Sequence, residues 1–402
     1  MDKERKPQLN FTHAEYKQRL DKVRGAMQEK YIDVLIISDP SNMHWLTGYD
    51  GWSFYVHQCV IVSVHDDAPF WYGHEQDANG AYRTAYMGQE NILYYPDHYV
   101  QSPDRHPMEY LSRIFKEKKW DKGTIAVEMD NYYFSARAYT ALTDNLSDAK
   151  FQDATALVNW QRAIKSPQEL HYMGIAAKIV DKMHERILSD IHVGMRKCDL
   201  VANIYQTSIE GVEIEGQGLF GGDYPAIVPL LPSGDNAAAP HLTWDDAPLK
   251  AGEGTFFEVA GCYKRYHCPL SRTVFLGTPP QKFIDAEKAL LEGMQAGLES
   301  AKAGNLCEDI SNAFFGVLKK YSIEKSNRAG YPIGLSYPPD WGERTMSIRS
   351  GDKSILQENM TFHFMTGLWM DDWGLEITES IVIKKDGAHC LASVPRQLFI
   401  KE

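Results

Sequence analysis

The chain has 402 residues, 44% of them hydrophobic, and a formal charge of -12 at neutral pH. That length exceeds one ordinary core of about 100–200 residues, so two domains are expected. The acidity and the lack of a Lys/Arg cluster exclude nucleic acid and anionic membrane surfaces as main partners. No apolar run approaches the ~18 residues of a membrane span, and the charged start MDKERKPQLN has no apolar signal core. Six cysteines are scattered without a C-x-x-C or zinc spacing, which suits reduced thiols in a cytoplasmic protein.

Thr12 and Glu15 form a capping box that opens a helix running to Glu29, with Tyr16, Leu20, Val23 and Met27 on one face. A short buried strand, VLIIS, follows from Val34. The apolar runs QCVIVSV, PFWYG, NILYY and GTIAVE then alternate with helical stretches, which predicts a smaller mixed α/β domain over residues 1–160. At RAIKSPQELHYM a second capping box, Ser166 with Glu169, carries Pro167 at the first helical position. It opens a long amphipathic helix to about Gly194 and a second domain, 165–402. Further helices are expected around Ser208, over Gln281 to Ala303 and over Cys307 to Tyr321. Between and after them come the strands TFFEVAG, RTVFLG, MTFHFM and LEITESIVI. Long helices on one face of a curved antiparallel sheet fit this order.

In FFEVAGCYKRYHCPLSRTVFLG, AGYPIGLSYPP, ENMTFHFMTG and WGLEITESIVI the second half resembles the methionine aminopeptidase, prolidase and creatinase family. The resemblance implies the two-domain pita-bread architecture, a creatinase-like N-terminal domain before it, and a homodimer in which an N-terminal loop reaches the partner's active site. Metal-dependent members present Asp, Asp, His, Glu and Glu in order. The matching positions here are Glu258, Pro269, Tyr331, Met365 and Thr378. Pro and Met are no ligands for a hard cation, and Thr and Tyr seldom are, so neither metal nor other cofactor is expected.

Creatinase, the metal-free branch, extends the match. SGDNAAAPHLTW places His241 at its catalytic histidine, and SIRSGD places Arg349 at the arginine that grips a substrate carboxylate, where a guanidinium fork suits bidentate binding. Strand parity then puts Glu376 on the face of Thr378, His363 on that of Met365, and His267 and Ser271 on that of Pro269. Glu379 falls on the opposite face. For His267 and His363 a hydrogen-bonded core role stands beside a substrate-binding one. The aromatic stretch around Trp45, Trp52, Phe54 and Tyr55, together with Tyr337, offers stacking surfaces for a flat or cationic ligand.

Two carboxylates without a metal, Glu258 and Glu376, repel each other unless a cation lies between them. An amidinium or guanidinium acid would supply that cation, and its carbon is electrophilic without a Lewis acid. Within the family the aromatic stretch, the length and the lost ligands are most similar to the branch that hydrolyses ectoine, a cyclic amidine. The resemblance thus implies ring opening with His241 as general acid-base, Glu258 and Glu376 on the ring, and water or Glu258 itself as nucleophile. It admits as a partner a deacetylase acting on the product. Another small guanidino or amidino acid, or a non-catalytic binding module on the same fold, are the alternatives.

Overall fold

The computed structural model describes residues 7–402, so most of the charged start weighed above lies outside the described residues. The chain divides into two compact units that part between Arg162 and Ala163. Each has its own sheet and core.

In the first unit α1 (His13–Glu29) begins where the Thr12 hydroxyl accepts the Glu15 N–H at 3.2 Å, and Tyr16, Leu20, Val23 and Met27 are buried. After it come β1 (Val34–Ile37), α2 (Pro40–Thr47), β2 (Cys59–Ser63), β3 (Phe70–His74), α3 (Ala78–Thr84), β4 (Ile92–Tyr95), α4 (Pro107–Glu117), β5 (Gly123–Val127), α5 (Ala136–Asn145), β6 (Ala149–Asp153) and α6 (Leu157–Gln161). The six strands pair in the order β4-β3-β2-β1-β5-β6, with β1 buried along its whole length. Alternate residues Val34 and Ile36 meet Leu111, Phe115 and Leu142 of α4 and α5. A strand covered on both faces needs such a continuous apolar run. The edge strand β6, AKFQD, is half polar and carries no such signature.

The second unit opens with α7 (Pro167–Asp190), whose capping box is complete: Ser166 Oγ accepts the Glu169 N–H at 3.3 Å and Glu169 accepts the Ser166 N–H at 2.8 Å. Then follow α8 (Lys197–Glu210), the small hairpin β7 (Val212–Ile214) and β8 (Gly218–Phe220), and the long hairpin β9 (Gly254–Tyr263) and β10 (Tyr266–Leu276). Next are α9 (Gln281–Ser300), α10 (Cys307–Lys320), β11 (Gly330–Tyr337), β12 (Asp340–Gly342), β13 (Thr361–Phe364), β14 (Leu368–Trp369), β15 (Gly374–Leu375), β16 (Glu379–Ile383), β17 (Ala388–Cys390) and β18 (Phe399–Lys401). The main sheet has eight strands along β17-β16-β13-β11-β10-β18, with β12 on β11 and β9 on β10, all antiparallel except β10 with β18.

Side-chain alternation divides this sheet chemically. Phe257, Val259, Cys268 and Leu270 pack with α7 and α8, and Phe362, Phe364, Ile381 and Ile383 pack with α9 and α10. Gly261 lies so close to α7 that an added Cβ would come within 2.0 Å of the Ala176 carbonyl oxygen. The alternate residues point away from the helices. In the β9–β10 register Ser271 faces Glu258, and His363 of β13 faces Tyr331 of β11. The run LEITESIVI, expected as one strand, breaks between Leu375 and Glu379. There the Thr273 hydroxyl accepts the Glu376 N–H at 2.8 Å and Thr378 Oγ1 accepts the Ser271 N–H at 2.8 Å, so side chains replace the ladder.

Candidate active site

The face turned away from the helices gathers a polar cluster. Glu258 and Glu376 are 5% and 0% exposed. His363 is fixed from both sides: Nδ1 meets the Tyr331 hydroxyl at 3.0 Å, and Nε2 meets Thr378 Oγ1 at 2.8 Å. The Tyr331 hydroxyl also accepts the Trp341 indole N–H at 2.8 Å. Glu258 lies 3.8 Å from His363 Nδ1, beyond hydrogen-bond reach, and its carboxyl group has no hydrogen bond among the described residues. Glu376 Oε1 accepts the Trp369 indole N–H at 2.8 Å, while Oε2 and the neighbouring Ser271 hydroxyl are buried, near enough for the hydroxyl to ease the Glu376 charge but not aligned in a regular hydrogen bond.

Two cations border this cluster. Lys325 donates to the Gly367 carbonyl at 2.7 Å and stands 4.3 Å over the Trp369 ring, and Arg328 stands 4.6 Å over Tyr331 and donates to Ser347 at 3.2 Å. Periodicity could not single them out, because SIEKSNRA is an irregular polar segment in which parity assigns no face. Their signal was compositional: two cations directly before the strand that carries Tyr331.

Burial dominates the electrostatics. It holds Glu258 well above the ordinary carboxylate range, with the Glu376 charge adding to the effect. Burial pushes Glu376 up to about 7, against the opposing influence of Ser271, Trp369 and Lys325. Lys325 is lowered to about 7 by burial, with Glu376 acting the other way. His363 drops to about 3 through burial and the Arg328 charge, so it is neutral at ordinary pH. The site therefore holds two carboxyl groups whose ionisation costs much, a missing cation being the simplest remedy.

The other expected site residues divide. Trp45, expected to stack on a ligand, is instead core: it is 2% exposed on α2, with its carbonyl bonded to Arg19 at 2.7 Å and the Arg19 guanidinium 5.0 Å over its ring. A short helix, not a loop, carries it. His267 has no nitrogen left for a ligand, since Nε2 accepts the Ala226 N–H at 2.9 Å and Nδ1 bonds the Arg265 carbonyl at 2.9 Å. Burial lowers it to about 4, and its role is to pin the chain at Ala226. Arg349 is exposed in a turn whose next residues, Ser350 and Gly351, bond Asn312 and Glu308 of α10, and its side chain makes no hydrogen bond or ion pair to Glu258 or Glu376 among the described residues. His241 is exposed in the loop after the 3-10 turn Gly234–Ala238, with no hydrogen bond or ion pair to Glu258 or Glu376 among the described residues. Tyr337 is buried at the end of β11, its ring 5.8 Å from the Arg265 guanidinium. In the first unit Trp52 and Tyr55 are 56% and 71% exposed, and Phe54 packs on Trp52 at 4.7 Å. Glu379 lies on the opposite face, as parity predicts, bonded by Arg272 at 2.7 Å and Arg396 at 3.1 Å.

A metal pair does not fit the ligand positions. Pro269 has no side-chain donor, Met365 offers a soft thioether, and the Tyr331 and Thr378 oxygens are committed to Trp341, Ser271 and His363. Among the described residues no three His, Cys, Asp or Glu side chains converge as a metal site would need.

Residues 171–385 match the model of metallopeptidase family M24, and residues 19–164 that of the Creatinase/Prolidase N-terminal domain. The chain is 60% identical over 395 residues to the ectoine hydrolase of Halomonas elongata, covering 98% of this chain and 99% of that one. It is 26% identical over 391 residues to a Xaa-Pro dipeptidase of Lactobacillus helveticus, covering 95% and 98%. A prolidase structure from Thermococcus sibiricus superposes with a TM-score of 0.81 at 18% identity, over 96% of this chain and 99% of that one, and so shares the pita-bread fold. The chain therefore belongs to metallopeptidase family M24, as a hydrolase with a Creatinase/Prolidase N-terminal domain.

Proposed function

We propose that this protein hydrolyses ectoine without a metal, opening the cyclic amidine to N-acetyl-2,4-diaminobutyrate. The observation that carries the proposal is the pair of buried carboxyl groups, Glu258 and Glu376, near enough for the charge of one to raise the other, with the burial-weakened Lys325 as their neighbouring cation. The 60% identical relative named for this reaction supports it.

An amidinium placed between the two carboxyl groups supplies the missing positive charge, so both ionise on binding. Its ring N–H groups donate to them, and charge-assisted bonds of this kind are the strong ones. The substrate carboxylate pairs with Arg328, the half-buried guanidinium beside the cluster, in place of Arg349. Water adds to the amidine carbon, the bond from that carbon to one ring nitrogen breaks, and the departing nitrogen takes up a proton. Glu376 and Lys325, which titrate near neutrality inside the cluster, carry that proton traffic. Attack by the unbonded Glu258 carboxylate, with water cleaving the adduct, is the covalent variant of the same scheme. His363, neutral and held at both nitrogens, orients Tyr331 and Thr378 and is not the base. His241, exposed in its loop without a bond to either carboxyl group among the described residues, is the alternative general acid-base.

Trp52 and Tyr55, exposed aromatic residues on the first unit with the half-buried Phe54 packed on Trp52, suit contact with a second copy in a homodimer. The test of the proposal is proton NMR of ectoine, creatine and a Xaa-Pro dipeptide incubated separately with purified protein. Ring opening of ectoine with the other two unchanged is expected. Turnover of the dipeptide or creatine, with ectoine intact, overturns the proposal.

A further inference from the structure

A cavity of about 390 Å³ lies within the first unit, where the segment Tyr55 to His57, the loop 101–105 and the first residues of α4 and α5 meet. Its polar lining is cationic: His57, Arg105, His106 and Arg137 border it, and neither Asp nor Glu does. That is unexpected in a chain of net charge -12. Arg105 has no ion pair or side-chain hydrogen bond among the described residues, and Arg137 bonds only the Pro103 carbonyl, at 3.1 Å. The His57 and His106 rings pack at 4.4 Å between centroids. His106 Nδ1 accepts the Met108 N–H at 3.1 Å, so the neutral ring carries its proton on Nε2, as a donor.

Burial and then Arg137 hold His57 below the ordinary imidazole range, and burial, His57 and Arg137 lower His106 to about 4. The remaining titratable groups on the cavity wall are the phenols Tyr55, Tyr95 and Tyr99, none of which supplies a negative charge at neutral pH. Two guanidinium forks and two crowded imidazoles without a counter-ion form an arrangement that an anion would stabilise.

We propose that this cavity binds a small oxyanion, a carboxylate or phosphate group, gripped by Arg105 and Arg137 with the His57–His106 pair beside it. The bound anion also favours protonation of the two imidazoles.

The test is a titration of the full-length protein with inorganic phosphate, and separately with acetate, following the ring carbon–proton NMR signals of His57 and His106. Sodium chloride at matched ionic strength is the control, and His57→Gln assigns the signals. Saturable shifts, histidine midpoints that rise in saturating anion, and about tenfold or greater weakening in the Arg105→Gln/Arg137→Gln double variant are expected. Both arginines are exposed, so an unchanged melting temperature confirms that the variant is folded. Saturation by phosphate alone or acetate alone identifies which oxyanion the site takes. Shifts that follow ionic strength only, or that persist unchanged in the double variant, overturn the proposal.

Discussion

Glu376 and Glu379 stand three residues apart, one in the break before β16 and one at the start of that strand, and their surroundings differ. On the helix-covered face Glu379 meets Arg272, which also donates to the carbonyls of Pro395, Ser271, Thr378 and Val394 at 2.5–2.9 Å. The counter-charge of Glu379 is supplied within the protein by Arg272 and Arg396, both on Oε1, although Oε2 is buried without a hydrogen-bond partner. Glu376 and Glu258 are also buried, yet the neighbouring cation Lys325 is itself lowered to about 7, and among the described residues no guanidinium bonds either carboxyl group. Burial without a full counter-charge is expensive. One setting stores its electrostatics as stability. The other leaves them incomplete, and a ligand of the right charge completes them.

The largest effects should distinguish the two settings by kind. Glu258→Gln should lower kcat/KM for ectoine on the order of 100- to 1,000-fold, the cost of removing one partner of a buried charge pair, with little change in melting temperature. Steady-state kinetics beside a thermal melt checks it, and the reverse pattern breaks the comparison. Arg272→Met should do the opposite, destabilising the fold by about 3–5 kcal/mol in denaturant titration, because buried Glu379 keeps only the part-exposed Arg396 and four carbonyls lose their donor. Arg328→Gln should raise KM for ectoine about tenfold with kcat little changed, whereas Arg349→Gln should alter neither by more than about twofold. Equal effects of the two would return the carboxylate to Arg349.

A smaller effect is a pH slope. Because Glu376 titrates at about 7 in the fold and in the usual carboxylate range when unfolded, the folded state holds its proton more tightly across that window. Stability should fall as pH rises from about 4.5 to 7, and Glu376→Gln should flatten the slope of melting temperature against pH. Turnover should rise over the same interval as Glu376 ionises, and the variant should lose that limb.

Much of this was readable in the residues. The caps at Thr12 and Ser166 placed two helix starts, and alternation along β9, β10 and β13 put Glu258, Ser271 and His363 on one face before any coordinates. Parity also separated Glu376 from Glu379, although the strand between them is broken. Alternation needs a regular strand, which is why Lys325 and Arg328 escaped it. An aromatic residue in an aromatic-rich stretch does not disclose its burial, so Trp45 read as a ligand wall when it supports Arg19. The satisfied nitrogens of His267 depend on Ala226, 41 residues away in sequence, which no local pattern reports.

We propose that Glu258 and Glu376 together form a site for an organic cation. Calorimetric titration of ectoine into chelator-treated wild-type protein and into the Glu258→Gln/Glu376→Gln double variant tests it most directly. Unimpaired affinity in the chelated wild type, with at least about a hundredfold weaker binding in the variant, is the predicted result. Equal affinity in the two proteins, or binding that returns to the chelated wild type only with a divalent ion, would contradict it.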